Sequence, residues 1–216
     1  MHFKNEFKKI YKDEKSNKII AKRPIFFLDR DGVIIEDQHY INDPKKVKLC
    51  IGAKEFIRNI FNKNFTIVII TNQSGISKGL ISFEEYLAVT NSMLKKLESP
   101  NPISAIYGNS HISEFPKSNW RKPNPNMILK ACEDLNFDLN NSFLIGDRKS
   151  DIIAGLRAGV PNLIHIETGH GKEEKKNLKK IFNKECDILN KGSKPNLFFI
   201  KNLKNFPYHI INSRKI

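Results

Sequence analysis

Asp29-Arg30-Asp31-Gly32 is the first stretch of this chain whose residue types and spacing suggest chemistry. It follows directly on an apolar run, Ile25-Phe26-Phe27-Leu28. Carboxylates at i and i+2 leave an extended segment on the same side, and Arg30 between them points elsewhere. Two neighbouring like charges repel unless a proton or a cation joins them. Mg2+ is an ion that oxygen ligands of this kind hold. Gly32 lets the chain turn sharply afterwards. A plain polar turn would use the same residues, so this stretch decides little alone.

Three later stretches sit at comparable positions. Thr71-Asn72-Gln73-Ser74-Gly75 follows the apolar run Thr66-Ile67-Val68-Ile69-Ile70. A hydroxyl and free backbone N–H groups at a strand exit can cradle phosphate oxygens, although an ordinary turn is an equal reading. Arg121-Lys122-Pro123-Asn124-Pro125 sets a lysine just ahead of a helix start, where anions already bind well. Gly146-Asp147-Arg148-Lys149-Ser150-Asp151 follows Phe143-Leu144-Ile145. Asp147 is placed as a metal ligand. Asp151 falls in the first turn of the next helix, where an acid complements the helix dipole.

The elements that must carry these residues alternate. Apolar runs at 25–28, 66–70, 103–107, 143–145 and 163–166 read as buried strands. Between them, Gly52 to Asn62 reads as a helix with Phe56, Ile57, Ile60 and Phe61 inward. Phe83 to Leu97 reads as a helix with Tyr86, Leu87, Thr90, Leu94 and Leu97 inward. Asn124 as N-cap and Pro125 as first residue open another. A helix from about Ser150 to Ala158 stops at Gly159 and Pro161. Strands with almost no polar residues, separated by helices, imply a parallel sheet covered on both faces. Ligands in such sheets sit beyond the carboxyl ends of the strands. Residues 1–22 read as a polar extension, helical because Phe3, Phe7, Ile10 and Tyr11 share one helical face. Residues 23–216 read as one domain, with a weak strand at 197–200.

Composition narrows the function classes. The chain has 216 residues, 39% of them hydrophobic, which suits one α/β domain with a sizeable core. No apolar run approaches the ~20 residues of a membrane span. Met1-His2-Phe3-Lys4 leads into no apolar stretch, so no secretory leader is expected and the cytosol is the expected compartment. Cys50, Cys132 and Cys186 form no CxxC pair and suggest ordinary thiols. The net charge of +14 would suit an anionic partner. Its lysines are dispersed without interleaved aromatic residues, so nucleic acid is not the expected partner.

Two acids, a hydroxyl, a lysine and a further acid, each at the end of a successive segment, form an order that resembles the haloacid dehalogenase-like phosphohydrolases. The resemblance runs from Ile25 to Gly169. Within that superfamily, Phe27-Leu28-Asp29-Arg30-Asp31-Gly32, Thr71-Asn72-Gln73-Ser74-Gly75-Ile76 and Arg121-Lys122-Pro123 resemble the heptose 1,7-bisphosphate phosphatase group and the related histidinol-phosphate phosphatases. The resemblance implies a three-layer α/β/α Rossmann-like fold without a large cap domain. It implies Mg2+ held by Asp29, the Asp31 backbone carbonyl and Asp147, and catalysis by Asp29, Asp31, Thr71 and Lys122. Asp29 would form an aspartyl-phosphate, with Asp31 as acid and then base. Asp37, Tyr40, Asn72, Gln73, Ser74, Arg121 and Arg148 are the implied substrate contacts. The implied partner is a small phosphorylated sugar, acted on by a monomer or weak homo-oligomer.

The chain departs from the group in one loop. Members usually hold a structural zinc there through three cysteines and a histidine, but no cysteine lies between Tyr107 and Arg121. His111 alone cannot build a closed four-ligand site. No zinc is expected, and Phe115, Pro116 and Trp120 are expected to pack the loop instead. The alternatives are a histidinol-phosphate or other sugar-phosphate substrate, a polynucleotide 3′-phosphate, or a non-catalytic binding module on the same fold.

Overall fold

Ile25–Leu28 is a strand in which all four side chains are buried, as its unbroken apolar run predicts. Alternate residues of a strand face opposite sides. Phe26 and Leu28 therefore join one core, with Ile67, Ile69, Phe143 and Ile145, while Ile25 and Phe27 join a second, with Val68, Ile70 and Leu144. Two cores on opposite faces make a three-layer architecture.

The computed structural model describes residues 5–11, 23–137, 139–189 and 194–212. In chain order its elements are β1 (Glu6–Ile10), β2 (Ile25–Leu28), α1 (Ala53–Asn62), β3 (Thr66–Asn72), α2 (Ser74–Ser77), α3 (Phe83–Lys96), β4 (Ala105–Asn109) and α4 (Asn126–Leu135). There follow β5 (Ser142–Gly146), α5 (Lys149–Ala158), β6 (Asn162–Ile166), α6 (Gly171–Glu174), α7 (Leu178–Ile188), β7 (Asn196–Ile200) and α8 (His209–Asn212). The sheet has the order β1-β4-β3-β2-β5-β6-β7. All pairings are parallel except that of β1 with β4. Among the described residues, no helix is long and apolar enough to cross a membrane.

The topology locates the site before any side chain is considered. From β2 the chain passes to β3 on one side and later returns to β5 on the other. Such a reversal leaves a crevice at the carboxyl ends of the central strands. Leu28 pairs with Ile145, and the Asp29 N–H donates to the Ile145 carbonyl at 3.0 Å. Asp29 and Asp147 thus leave two adjacent strands at nearly the same level.

Three local expectations are corrected. The helix expected in residues 1–22 is a strand over Glu6–Ile10, and Phe3 lies outside the described residues. Ile10 is exposed, and Phe7 supplies the apolar anchor of β1, with its ring against Phe83 and Tyr86. In α3 the buried face carries Tyr86, Val89, Thr90 and Met93, whereas Leu87 is exposed. α4 begins one residue later than expected: Pro125 is its N-cap, and the buried Asn124 amide serves the preceding loop instead.

Candidate active site

Lys122 organises the floor of the crevice. Its side chain is almost fully buried, with Nζ 3.0 Å from Asp29 Oδ1 and 2.6 Å from Asp151 Oδ1. It also donates to the Ile70 carbonyl at 2.9 Å. An ammonium has three protons to give, and all are used. The Asn72 side chain grips the backbone of Lys122 from both sides, accepting from its N–H at 3.1 Å and donating to its carbonyl at 3.2 Å. Asn109 in turn donates to Asn72 Oδ1 at 2.8 Å.

Asp29, Asp147 and Asp151 lie around this lysine, each offering an oxygen within 4.8 Å of the others. Close approach is possible because glycines face the acids. A Cβ on Gly32, whose φ is +81°, would stand 2.4 Å from Asp147 Oδ2, and one on Gly146 would collide with the Asp151 side chain. Three buried carboxylates against one ammonium leave an excess of negative charge. Burial, then the neighbouring acids, push Asp147 up to about 8; burial, opposed by Lys122, pushes Asp29 up to about 7. Burial alone would lower the Lys122 ammonium, but Asp151 and Asp29 beside it hold it above its ordinary value. Asp147 Oδ1 is buried without a hydrogen-bond partner. A divalent cation fits this donor set: it supplies the missing positive charge and a partner for that oxygen.

Asp31 does not join the cluster. Arg30 folds back onto it, with Nη2 3.1 Å from Oδ1 and Nε 3.1 Å from Oδ2, and Gln73 Nε2 donates to Oδ2 at 2.8 Å. The cation that relieves the second acid is therefore Arg30, which sequence spacing had pointed elsewhere. Arg30 is itself fixed by Thr90 and by the Tyr86 ring, 4.9 Å away. Gln73 also donates to Thr71 Oγ1 at 2.8 Å, linking the hydroxyl to the acid.

Above this floor opens a cleft of about 620 Å³, lined by Asp29, Asp31, Asn72, Gln73, Ser74 and Lys122 below and Asp37, His39, Tyr40, Lys78, Arg121 and Arg148 around the rim. The Tyr40 hydroxyl accepts from Lys78 at 2.9 Å, and its ring covers Gly75 so closely that a Cβ there would stand 2.4 Å from it. Arg121 Nη1 donates to the His111 carbonyl at 2.8 Å, and Arg148 Nη2 lies 3.5 Å from Asp37 Oδ2. The expected site residues thus converge, except that Thr71 and Asp147 lie fully buried beneath the cleft floor.

A family model for the haloacid dehalogenase-like hydrolases matches residues 4–164. The chain belongs to this family. It is 36% identical over 174 residues to the D-glycero-alpha-D-manno-heptose-1,7-bisphosphate 7-phosphatase of Campylobacter jejuni, covering 77% of this chain and 99% of the relative. The beta-anomer 7-phosphatase of Pasteurella multocida is 33% identical over 149 residues, 66% of this chain and 81% of the relative. The crystal structure of D,D-heptose 1,7-bisphosphate phosphatase from B. bronchiseptica, complexed with magnesium and phosphate, shares the fold. Its TM-score is 0.72 at 22% identity, over 88% of this chain and 99% of that one.

In this hydrolase the loop between β4 and α4 is held by amides rather than by aromatic packing. Asn124 Nδ2 donates to the Glu114 carbonyl at 2.7 Å and to Asn119 Oδ1 at 3.1 Å. Asn119 donates to the Ser113 carbonyl, and Asn126 to those of Lys117 and Asn119. Phe115 and Pro116, expected to pack the loop, are exposed; only Trp120 packs, against Tyr107 at 5.8 Å. β1 secures the loop from outside, since Glu6 Oε1 accepts from the Trp120 N–H at 2.8 Å.

Sequence reasoning left Asp151 out of the site. Its Oδ2 does accept from the Arg148 N–H at 2.9 Å, as a first-turn acid should. The other oxygen meets Lys122. The available signal was an acid in the first turn of the helix that follows a strand exit, a position at the carboxyl edge of the sheet.

Proposed function

We propose that this hydrolase removes the C7 phosphate of a D-glycero-D-manno-heptose 1,7-bisphosphate through a phosphorylated Asp29. The observation that carries the reading is the buried Lys122 ammonium shared by Asp29 and Asp151 at the base of a cleft rimmed by Lys78, Arg121 and Arg148. With the floor's excess of negative charge offset by a divalent cation, one phosphate would sit beside Lys122, and the cationic rim suits a second at the far end of a sugar. The curated relatives from Campylobacter jejuni, Pasteurella multocida and Photorhabdus laumondii, named for this substrate class, support it.

Asp29 is the nucleophile, its carboxylate oriented by the Arg30 N–H at 2.7 Å and by Lys122. Lys122 and the turn of Asn72, Gln73 and Ser74 that closes β3 face the transferring oxygens as charge develops, with Thr71 buried beneath them. Asp31 stands at the cleft to give a proton to the leaving sugar oxygen and later take one from water. Arg30 and Gln73 keep its carboxylate from swinging. Asp29, Asp147 and Asp151, with the Asp31 backbone carbonyl, would hold Mg2+, which when bound offsets charge between nucleophile and phosphate.

Proton and cation compete for the same oxygens. Asp29 and Asp147 are raised to about 7 and about 8. In the cation-free protein their protonated forms are favoured by folding, so stability is present at low pH and lost as pH rises through those values. Mg2+ therefore raises the melting temperature more at about pH 8 than at about pH 6. Thermal unfolding with and without Mg2+ at the two pH values measures this; an equal increment at both would place the ion elsewhere.

The substrate is tested by phosphate release from heptose 1,7-bisphosphate, histidinol phosphate and a 3′-phosphorylated oligonucleotide. The expected result is a kcat/KM for the heptose at least ~100-fold above the others. A higher value for either competitor would replace this reading.

A further inference from the structure

At the cleft rim Asp37 and His39 meet His170, from the loop after β6, in a way the phosphate chemistry does not use. We propose that Asp37, His39 and His170 form a second metal site that takes a borderline d-block dication such as Zn2+ rather than Mg2+. Each residue presents a ligand atom within 4.8 Å of the others. His170 Nε2 lies 2.9 Å from Asp37 Oδ2, and the two imidazole rings stand 5.6 Å apart at 67°.

The backbone is bent to produce this arrangement. His39 and Tyr40 both take positive φ, 48° and 60°, which residues other than glycine seldom adopt. The His39 N–H donates to Asp37 Oδ1 at 3.0 Å, curling the segment so that residue 39 returns toward residue 37. His170 is held from the other side. Its N–H donates to Asp147 Oδ2 at 2.8 Å, and the Thr168 hydroxyl ties the same loop to the Gly32 carbonyl at 2.5 Å. Two rigid segments, one after β2 and one after β6, thus bring their side chains to one point.

Ligand chemistry separates this point from the carboxylate cluster. All-oxygen donors suit Mg2+, whereas imidazole nitrogens suit Zn2+ and its neighbours. Two nitrogens and one carboxylate leave a coordination position open, and Asp37 and His39 line the cleft into which it opens. Occupancy would also draw Asp37 away from Arg148, now 3.5 Å distant. The site depends on neither the proposed heptose substrate nor the phosphorylated Asp29.

The full-length chain, saturated with Mg2+, is titrated with Zn2+ against a chromophoric chelator. One Zn2+ equivalent is expected that excess Mg2+ does not displace. Its affinity is expected to fall at least ~10-fold in His39→Ala and again in His170→Ala, since each removes a ligand atom. His39 is exposed, so His39→Ala should keep the wild-type melting temperature. Cys132→Ser, which removes the half-buried thiol, should bind Zn2+ as the wild type does. Absence of Mg2+-resistant binding, wild-type affinity in both histidine variants, or loss of binding only in Cys132→Ser would each overturn the site.

Discussion

Asp29→Asn should leave a folded protein that releases phosphate at least ~10³-fold more slowly than the wild type. The amide has nearly the same shape but no oxygen able to attack phosphorus, so the loss falls on kcat. Folding should not suffer. Asp29 is buried, and burial raises its carboxylate to about 7, so at about pH 8 the folded wild type carries an ionised group that its environment disfavours. Removing that charge leaves Lys122 the partners Asp151 and the Ile70 carbonyl. The variant should therefore melt no lower than the wild type at that pH. Steady-state phosphate release paired with calorimetry separates the two effects. A variant that is well folded and still turns over within tenfold of the wild type would remove Asp29 from the nucleophile role.

Lys122→Met should cost more in stability. The variant keeps the stem's volume but strips the only side-chain cation paired with Asp29 and Asp151 among the described residues. Breaking a buried ion pair from one side costs about 3–5 kcal/mol, because the remaining charge is left without a partner. Lys122 lowers Asp29 against the effect of burial, so its loss raises that carboxylate further. A raised acid is stable protonated, and its penalty appears as pH climbs. The variant should thus lie close to the wild type near pH 5 and fall away toward pH 8. Activity should drop at least ~10²-fold at every pH. Urea unfolding at the two ends of that range reads the difference. A stability loss independent of pH would mean that packing, not charge, is what Lys122 supplies.

How far the site was legible follows from what each residue touches. β2, β3, β5 and β6 are flanked on both faces, so each is built around a mostly apolar stretch, and the acids that follow two of them stand out. β1 lacks that signal because it is an edge strand with exposed residues and one apolar anchor. Phe7 reaches over Gly108, where a Cβ would stand 2.5 Å from its ring, and no local pattern records such a tertiary fit. Arg30 shows why side-chain direction misleads for long residues. Its Cα–Cβ bond can leave the strand away from Asp31 while the guanidinium returns to it. Asp151 was read through its backbone role, and the cap it makes is genuine. Its second oxygen is committed to a lysine 29 positions earlier, which periodicity cannot show. The amide-rich loop differs from the aromatic packing its sequence suggests because its order rests on Asn119, Asn124 and Asn126 bonding to backbone carbonyls. Such contacts leave Phe115 free to face solvent.

The most direct test is a crystal grown with Mn2+ in place of Mg2+, examined by anomalous scattering. The proposed cation site predicts a strong peak within about 2.0–2.4 Å of oxygens from both Asp29 and Asp147, with the Asp31 side chain still forked by Arg30. Density for the ion lying away from these two strand ends, with their carboxylates left uncoordinated, would contradict it.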